Sequence, residues 1–398
     1  MHEPISEKKQ KISNGITVLL AAACGLIVAN LYYSQTLVGP ISSDLGLPSG
    51  TAGLIVTLTQ IGYVAGLLFI VPLSDMLENR RLVVSFLAIV VLALFGAAFS
   101  TGSVLFLAAS LLIGASSVVA QILVPLAAFL STEEQRGRVV GNVMSGLLLG
   151  IMLARPIASL ITGIWGWQTI FVISAILMVL LAILLSRVLP ERHPNKTLTY
   201  GELVVSLLKL FKKSPLLRRR SFYQACLFGA FSLFWTTAPL RLADEYGMTQ
   251  QGIALFAFVG VAGAIAAPVA GRLADRNWTK HLTMGAIVIA TLSFMLIALV
   301  HGKSDFSLVL LFIAAIALDM AVSGNLVVGQ RVIYSLGNET RGRLNGIFMA
   351  IFFIGGAVGS FLGGLSYAYG GWIMSSWIGV LFPFLAFLYF LTEFKSEN

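Results

Sequence analysis

Two ionisable residues stand inside long apolar stretches of this sequence, where charged side chains are otherwise rare. Arg155 lies within VMSGLLLGIMLARPIASLIT, and Asp319 lies within LVLLFIAAIALDMAVSGNLVVG. In an apolar interior an ionised carboxylate costs on the order of several kcal/mol unless it meets water, a partner or a proton. We therefore expect Asp319 to alternate between protonated and charged forms as its access to water changes, which is the chemistry that proton coupling requires.

Arg155 adds a positive charge that could pair with Asp319 or could bind an anionic substrate directly. Asp319 could in turn serve as the counter-charge of a cationic substrate. The residues alone also allow structural roles, because Asp319 could be a buried polar tie to serines or asparagines and Arg155 could pack or snorkel near the membrane surface. We predict proton coupling and substrate binding for both residues, with these alternatives left open.

The stretches that hold these charges belong to a chain of unusual composition. Of its 398 residues 58% are hydrophobic and only 11% are charged, and the mean hydropathy is +0.92. Such values are typical of an integral membrane protein. Twelve apolar stretches are each long enough to cross about 30 Å of hydrocarbon as a helix. They cover residues 16–38, 51–73, 82–100, 104–130, 139–162, 169–189, 222–240, 252–273, 282–300, 306–333, 344–367 and 373–391.

The stretches must be helical, because lipid offers no hydrogen-bond partner to backbone groups. Barrel strands are excluded, since the apolar runs are too long and lack alternating faces. The predicted fold class is therefore an all-α membrane protein with twelve transmembrane helices.

Lysine and arginine residues concentrate in alternate loops between the predicted spans. The loops on one side contain Lys8, Lys9, Lys11, Arg80, Arg81, Arg136, Arg138, Arg272, Arg276, Lys280, Arg341, Arg343 and Lys395, whereas the opposite loops contain only Arg241 and Lys303. By the positive-inside rule both termini should face the cytoplasm of a prokaryotic cell, with the chain in its inner membrane. The net charge of +9 is then a topology signal, and no nucleic-acid partner is expected.

No metal site and no other cofactor is expected from the residue pattern. The four histidines fall in loops or at span ends, and the two cysteines, Cys24 and Cys226, stand in spans as small hydrophobes. An enzyme is not expected either, since no nucleophile and base cluster appears within the spans.

The chain divides into two halves that repeat one another. A hydrophilic stretch, residues 187–220, interrupts the middle and contains LVVSLLKLFKK, which predicts an amphipathic helix on the cytoplasmic membrane surface. EQRGRVVGNVMSGLLLG from Glu134 aligns without a gap with ETRGRLNGIFMAIFFIG from Glu339, so that Gly150, Ala154 and Ala158 match Gly355, Gly359 and Gly363. These stripes of small residues predict close helix packing in both halves. We predict bundles at 1–190 and 221–398 joined by a linker at 191–220.

Two charged loops, PLSDMLENRR at 72–81 and GRLADRNWTK at 271–280, occupy equivalent places in the two halves. With the chain length and the paired halves, they resemble the signature loop of the major facilitator superfamily. The resemblance implies two pseudo-symmetric six-helix bundles that rock about a central site. It also implies a cytoplasmic gate formed by Asp75, Arg80, Arg81, Asp275, Arg276 and Lys280, with the carboxylates facing helix starts near Arg136 or Arg341. The alternative is that these charges only anchor topology.

Four further segments are similar to the twelve-span branch of drug and metabolite exporters coupled to protons. They are NLYYSQ, MLENRR, LLLGIMLARP and LDMAVSGNLVVGQ. The chain departs from that branch at Ser110, where an arginine is common. It departs from the signature loop of the superfamily at Met76 and Glu78, where a basic residue and a glycine are usual. We therefore expect a coupling arrangement different from that of the branch and a first-half gate that is weaker or differently paired.

The resemblance also implies a central cavity lined by polar and aromatic side chains. The candidate substrate-binding residues are Asn30, Tyr33, Gln35, Gln121, Arg155, Phe231, Trp235, Asp319, Asn325 and Gln330. Aromatic faces suit a flat or cationic organic molecule. The set predicts a cavity of mixed polar and apolar character.

The function we favour is secondary active transport by alternating access, with proton-coupled export of small amphipathic drugs or metabolites by a monomer. The alternative is an uptake carrier for an organic anion or nutrient, with Arg155 as the binding charge. A membrane protein that does not transport is a third possibility, and the two gate loops argue against it because a static scaffold does not need them.

Overall fold

The structure is a computed structural model that describes residues 13–192, 194, 199–274, 276, 278–299, 302–337 and 340–395. Within these ranges the chain is helical and forms no strand. The predicted all-α class is therefore confirmed.

The described part of the first half contains eight α-helices. They are α1 (Asn14–Ala29), α2 (Val38–Asp44), α3 (Leu54–Ala65), α4 (Asn79–Ala98), α5 (Ser103–Ser116), α6 (Val119–Leu130), α7 (Glu133–Trp165) and α8 (Trp167–Val188). Short 3₁₀ turns at Tyr33–Gln35, Ser49–Thr51 and Val71–Asp75 and a π turn at Gly66–Ile70 connect or extend them. Several predicted spans thus consist of two helical pieces, as α5 and α6 do for the fourth.

The linker and the second half contribute the remaining helices of the described chain. They are α9 (Tyr200–Lys213), α10 (Pro215–Asp244), α11 (Gln250–Ala257), α12 (Ala262–Ala274), α13 (Thr279–Leu299), α14 (Asp305–Tyr334) and α15 (Arg341–Lys395), with a 3₁₀ turn at Phe258–Val261 between α11 and α12.

The last helical segment contains two helices that meet at a glycine. Gly371 has φ 60° and ψ −156°, a backbone conformation that residues with a Cβ rarely adopt. Eleven segments of the described chain are long and apolar enough to cross a membrane, and the last of them, Arg341–Glu393, has 53 residues. That segment includes both the eleventh and the twelfth predicted spans.

Glycines form the closest helix contacts in both halves. Gly150 of α7 lies against the backbone of Gly25 in α1, while Gly355 and Gly359 of α15 lie against α10, Gly359 at the carbonyl of Gly229. A Cβ at any of these positions would overlap the backbone of the neighbouring helix. The close packing predicted from the matched stripes of small residues is confirmed.

The two halves touch at the end of the molecule opposite the arginine-rich loops. We call the end that carries Arg80, Arg81, Arg136, Arg138, Arg341 and Arg343 the basic end. At the opposite end, Ser159 Oγ of α7 donates to Gln250 Oε1 of α11 at 2.9 Å. On the other side of the interface, the hydroxyls of Thr57 and Ser360 lie 2.8 Å apart. Neutral hydrogen bonds thus close this end.

The linker helix α9 contacts both halves at the basic end. Tyr200 Oη donates to the carbonyl of Phe69 at 2.9 Å, and Arg343 Nη1 donates to Ser206 Oγ at 3.0 Å. Two leucines of its apolar face are buried against the protein. The position of α9 on a membrane surface and the domain boundaries at 190 and 220 stay predictions.

Replacing Gly359 by alanine should destabilise the protein even though alanine favours a helix. The new methyl group would overlap the carbonyl of Gly229, and overpacking typically costs about 1–3 kcal/mol. Alanine regains only about 1 kcal/mol over glycine in a helix. We expect the midpoint of thermal unfolding to fall, measured with a thiol-reactive dye, because Cys24 and Cys226 are both buried in the fold.

Gly346→Ala is the matched control in the same helix, because its new methyl group would meet no atom within 4 Å. Its midpoint should stay constant or rise. An equal loss of stability in both variants would contradict the packing explanation.

Candidate functional site

Arg155 and Asp319 meet between the two halves of the molecule. Arg155 Nη2 of α7 lies 3.6 Å from Asp319 Oδ2 of α14, and both side chains are only 2% exposed. This is an ion pair slightly too long for a hydrogen bond. The structure therefore brings together the two residues that the sequence singled out.

Aromatic side chains from α10 complete the surroundings of the pair. Trp235 Nε1 donates to Asp319 Oδ1 at 2.9 Å. The Arg155 guanidinium lies 3.9 Å from the Trp235 ring centroid and 5.1 Å from that of Phe231. Trp235 thus stabilises both charges, one through its N–H and the other through its ring face.

The pair is buried too deeply for either charge to stand alone. Removing one partner of a buried ion pair typically destabilises a protein by about 3–5 kcal/mol, because the other charge stays uncompensated. Arg155 Nε and Nη1 and Asp319 Oδ2 have no hydrogen-bond partner among the described residues. The pair is thus held by charge and by Trp235 rather than by a saturated hydrogen-bond network.

Gly260 is a site residue that sequence reasoning missed. It lies in the 3₁₀ turn between α11 and α12, and a Cβ there would stand 2.7 Å from Arg155 Nη2 and 2.9 Å from Asp319 Oδ2. The absence of a side chain is what leaves room for the pair. The glycine-rich stretch around it gave no signal, since glycines are frequent throughout the membrane helices.

A cavity of about 380 Å³ leads from the ion pair toward the basic end. Arg155 and Asp319 line one end of it, while Arg341 and Asn345 line the other. Because Ser159 and its partner close the opposite end of the molecule, the pair lies at the closed end of the cavity. A molecule of modest size could reach it from the basic end.

Half of the predicted substrate-binding residues line this cavity. They are Gln121, Arg155, Phe231, Asp319 and Gln330. Gln121 Nε2 donates to Tyr63 Oη at 3.1 Å, and Gln330 Nε2 donates to Asn345 Oδ1 at 3.2 Å. These two amides of the lining are therefore held by hydrogen bonds to neighbouring side chains.

The other predicted substrate-binding residues lie outside the lining. They are Asn30, Tyr33, Gln35, Trp235 and Asn325, all buried. Asn30 Oδ1 accepts from Ser174 Oγ at 2.6 Å, and Asn325 Nδ2 donates to Gln224 Oε1 at 2.7 Å. These two asparagines tie helices together within one half, while Trp235 acts behind the ion pair.

Aromatic lining residues were missed by the sequence analysis. The lining includes Tyr32, Tyr63, Phe228, Phe352 and Phe353. NLYYSQ did point to this region, but neighbouring helical residues point about 100° apart, and the sequence could not decide between Tyr32 and Tyr33. The 3₁₀ turn that begins at Tyr33 also changes the direction in which these side chains point.

The first gate loop lies opposite the start of α15, the helix start near Arg341 that the sequence analysis named, and its gating role stays a prediction. Asp75 faces a second cavity together with Arg192 of the linker and Arg343 of α15, and both arginines act on its charge. Arg341 itself donates from Nε to the carbonyl of Tyr334 at 3.3 Å. Arg343, on another face of the first turn of α15, is the arginine of this helix that lies near Asp75.

The basic residues of the same loop form ion pairs near the start of α4. Arg80 Nη2 pairs with Glu191 Oε1 at 2.6 Å, and Arg81 Nε lies 3.8 Å from Glu78 Oε2. Glu78 also accepts from the backbone N–H groups of Arg80 and Arg81 at 2.7 and 2.8 Å. Burial opposes the charged form of Glu78, but these hydrogen bonds outweigh it and hold its pKa below the ordinary value.

The second gate loop is only partly described. Asp275 lies outside the described residues, Arg276 is exposed, and Lys280 is half-buried at the start of α13. Arg136, at the start of α7, is half-buried. The gating roles of these four residues stay predictions.

Comparisons with known proteins agree with the fold. A sequence model of the Major Facilitator Superfamily matches residues 18–337. An uncharacterized transporter, YgaY, of Escherichia coli O157:H7 is 39% identical over 369 residues, which cover 92% of this chain and 93% of that protein. A probable transporter of Streptomyces coelicolor, SCO4007, is 32% identical over 89% of this chain and 82% of its own length.

A solved structure has the same fold. It is a bacterial homologue of the human lysosomal transporter Spinster in an inward-facing and occupied conformation, with a TM-score of 0.77 at 13% identity over 95% of this chain and 96% of that one. At this identity the likeness concerns the fold alone.

Glu78→Gln should lower stability at neutral pH and much less in acid. Because the pKa of Glu78 is lower in the folded state, its contribution is present above the unfolded pKa of about 4.3 and is lost as pH falls through the folded value. Loss of a helix cap costs about 1 kcal/mol. The unfolding midpoints of the variant and wild type should therefore differ at pH 7 and converge once the pH has fallen below the folded pKa of Glu78. A difference that is independent of pH would contradict this role for the carboxylate.

Proposed function

The chain belongs to the Major Facilitator Superfamily, and from that premise we propose that it exports small amphipathic drugs or metabolites in exchange for protons by alternating access. The proposal includes an inner-membrane location in a prokaryotic cell, cytoplasmic termini and a monomeric state. An enzyme is not proposed, because the family and the relatives are transporters.

The observation that carries the proposal is the ion pair at the closed end of the cavity. A proton on Asp319 would remove one charge and leave Arg155 without its partner, so the pair has two charge states with different costs of burial. Because α7 and α14 belong to different halves, a change in the pair acts on the contact between the halves. This is how proton binding would bias one conformation over the other.

The character of the cavity supports an amphipathic substrate. Its wall combines aromatic side chains, such as Tyr32 and Phe228, with a few amides, among them Gln121 and Gln330. Apolar and aromatic walls with a small number of placed polar groups are typical of sites for small organic molecules. A cationic substrate would gain further from the ring faces and from Asp319 once Arg155 is displaced.

The direction of the cavity supports loading from the cytoplasm. It leads to the basic end, which the positive-inside rule assigns to the cytoplasmic side. Gln251 Nε2 donates to the carbonyl of Gly163 at 2.9 Å, next to the bond between Ser159 and Gln250, so α7 and α11 separate the pair from the other side. Export would require these contacts to open after substrate has bound.

One observation favours the second candidate, an uptake carrier for an organic anion. Arg155 Nε and Nη1 are buried donors without hydrogen-bond partners in the described chain, and a carboxylate could pair with this guanidinium in a bidentate manner. In that case Arg155 would bind substrate and Asp319 would only compensate its charge in the empty state.

Asp319→Asn should abolish substrate-dependent proton movement. In everted vesicles with an imposed proton gradient and a fluorescent pH reporter, organic cations and neutral drugs should dissipate the gradient with wild type. With the variant the signal should fall to that of vesicles without the protein. Asp305→Asn is the matched control, because Asp305 lies at the exposed start of the same helix.

Folding and coupling are separated by the double variant Arg155→Gln with Asp319→Asn. It removes both charges, so its midpoint of thermal unfolding should recover from the loss seen in either single variant. Substrate-dependent proton movement should remain absent. If Asp319→Asn retains full exchange, the export proposal fails. Loss of organic-anion uptake in Arg155→Gln, but not in Arg138→Gln on the exposed part of the same helix, would favour the second candidate.

Gly260→Ala should impair transport more than stability. The methyl group would meet Arg155 Nη2 at 2.7 Å and Asp319 Oδ2 at 2.9 Å, so the pair must separate. We expect at least about a tenfold loss of exchange in the vesicle assay, which corresponds to about 1.4 kcal/mol. Gly252→Ala in α11 is the control, because its methyl group meets Met248 at an ordinary 3.5 Å. Equal activity of the two variants would remove Gly260 from the site.

A further inference from the structure

A second cavity, of about 260 Å³, lies at the basic end where three parts of the chain meet. The first half contributes the turn at Val71–Asp75 and the start of α4, the linker contributes Arg192 and α9, and the second half contributes the start of α15. It borders the central cavity at Gln121 and Asn345, which line both. We call it the linker pocket.

The charged lining of the linker pocket is positive overall. Arg192 and Arg343 face it together with a single carboxylate, that of Asp75. Asp75 is exposed, and no hydrogen bond or ion pair of its carboxylate is found in the described ranges. One positive charge is therefore left over at the pocket, and the first turn of α15 adds the positive end of a helix dipole.

Both guanidinium groups are held in place and keep donors free for a ligand. Arg192 lies 4.1 Å over the ring of Phe129, and its Nη1 donates to Asn79 Oδ1 at 3.1 Å once that amide is oriented to satisfy its neighbours. Burial lowers the pKa of Arg192, and the charge of Asp75 opposes that shift. Arg343 uses Nη1 on Ser206, which leaves its Nη2 and Nε for other acceptors. Two fixed guanidinium groups on one pocket suit a carboxylate or a phosphate.

The remaining wall of the linker pocket is apolar. It includes Leu67, Val71, Ile122, Leu203 and Leu207, and the two leucines of α9 are each 6% exposed. A ligand that only carried charge would leave this surface without a partner, whereas an attached alkyl or aromatic group would cover it.

We infer that the linker pocket binds an anionic amphiphile, with its carboxylate or phosphate on Arg192 and Arg343 and its apolar group against α9. The ligand would occupy the space between Asp75 and the start of α15. It would therefore hold the first gate loop apart from the second half and stabilise the conformation seen here. A membrane phospholipid and a soluble organic anion present the same chemistry, and the test below separates them.

The probe is octyl phosphate, added to the purified full-length protein in a neutral detergent. The midpoint of thermal unfolding, followed through the two buried cysteines, should rise with octyl phosphate but not with octanol or octyltrimethylammonium. Arg192→Gln and Arg343→Gln should each weaken the apparent affinity by about tenfold or more. Arg272→Gln, an exposed arginine at the same end, should leave it unchanged.

A variant that should bind the probe more tightly distinguishes a change in the site from misfolding. Asp75→Asn removes the only carboxylate among the lining residues that the structure describes, so it should tighten octyl phosphate binding. Asp305→Asn, which removes an exposed carboxylate that lines neither cavity, should bind octyl phosphate like wild type. The inference is overturned if octyl phosphate gives no shift, if octanol gives an equal shift, or if both arginine variants bind like wild type.

Nanodiscs of two lipid compositions distinguish a lipid ligand from a soluble one. If a lipid fills the pocket, phosphatidylglycerol discs should raise the wild-type midpoint over phosphatidylcholine discs, and Arg192→Gln should cancel that difference. If a soluble anion is the ligand, octyl phosphate should act equally in both discs. If neither phosphatidylglycerol nor octyl phosphate raises the midpoint of thermal unfolding, the inference is again overturned.

Discussion

Burial of two opposite charges at one point between the halves is the constraint on which the rest of this structure depends. Arg155 and Asp319 come from helices of different halves, and neither could stay ionised alone at this depth without a large cost. The contact between the halves must therefore be kept wherever the pair is charged. The surroundings serve that need, since Trp235 bonds to one partner and stacks on the other and Gly260 leaves space for both.

The two halves share a packing pattern but differ in where they carry charge. Gly150 and Gly355 match in the repeat, and each lies against a neighbouring helix at backbone distance. With the same offset Arg155 matches Ser360, whose hydroxyl meets that of Thr57 across the other side of the interface. One side of the interface is thus closed by neutral hydrogen bonds and the other holds the ion pair. In the proposed mechanism, protonation would act on the side that holds the ion pair and not on the other.

At the basic end the linker helix contacts both halves. Helix α9 bonds to Phe69 of the first half and to Arg343 of the second, and it forms one wall of the linker pocket. Polar and charged groups dominate here because water is available to them. The linker pocket and the central cavity share lining residues, so a ligand in the proposed pocket would compete with a substrate on its way to the central cavity.

Much of the fold was determined by the sequence itself, because hydropathy is a property summed over some twenty residues and does not depend on how a helix is rotated. The apolar spans, the repeat of Gly150 and Gly355, and the rare charges Arg155 and Asp319 could all be read in this way. The tertiary structure alone decided which side chains face the cavity: Gln121 and Gln330 do, while Asn30 and Asn325 bond within one half. The spans are apolar on nearly every face, so their sequence carries little information on rotation, and the 3₁₀ turns at Tyr33 and Phe258 shift the rotation again. The role of Gly260 could not be found from the sequence either, because it depends on Arg155, 105 residues away in sequence, and not on the residues next to it.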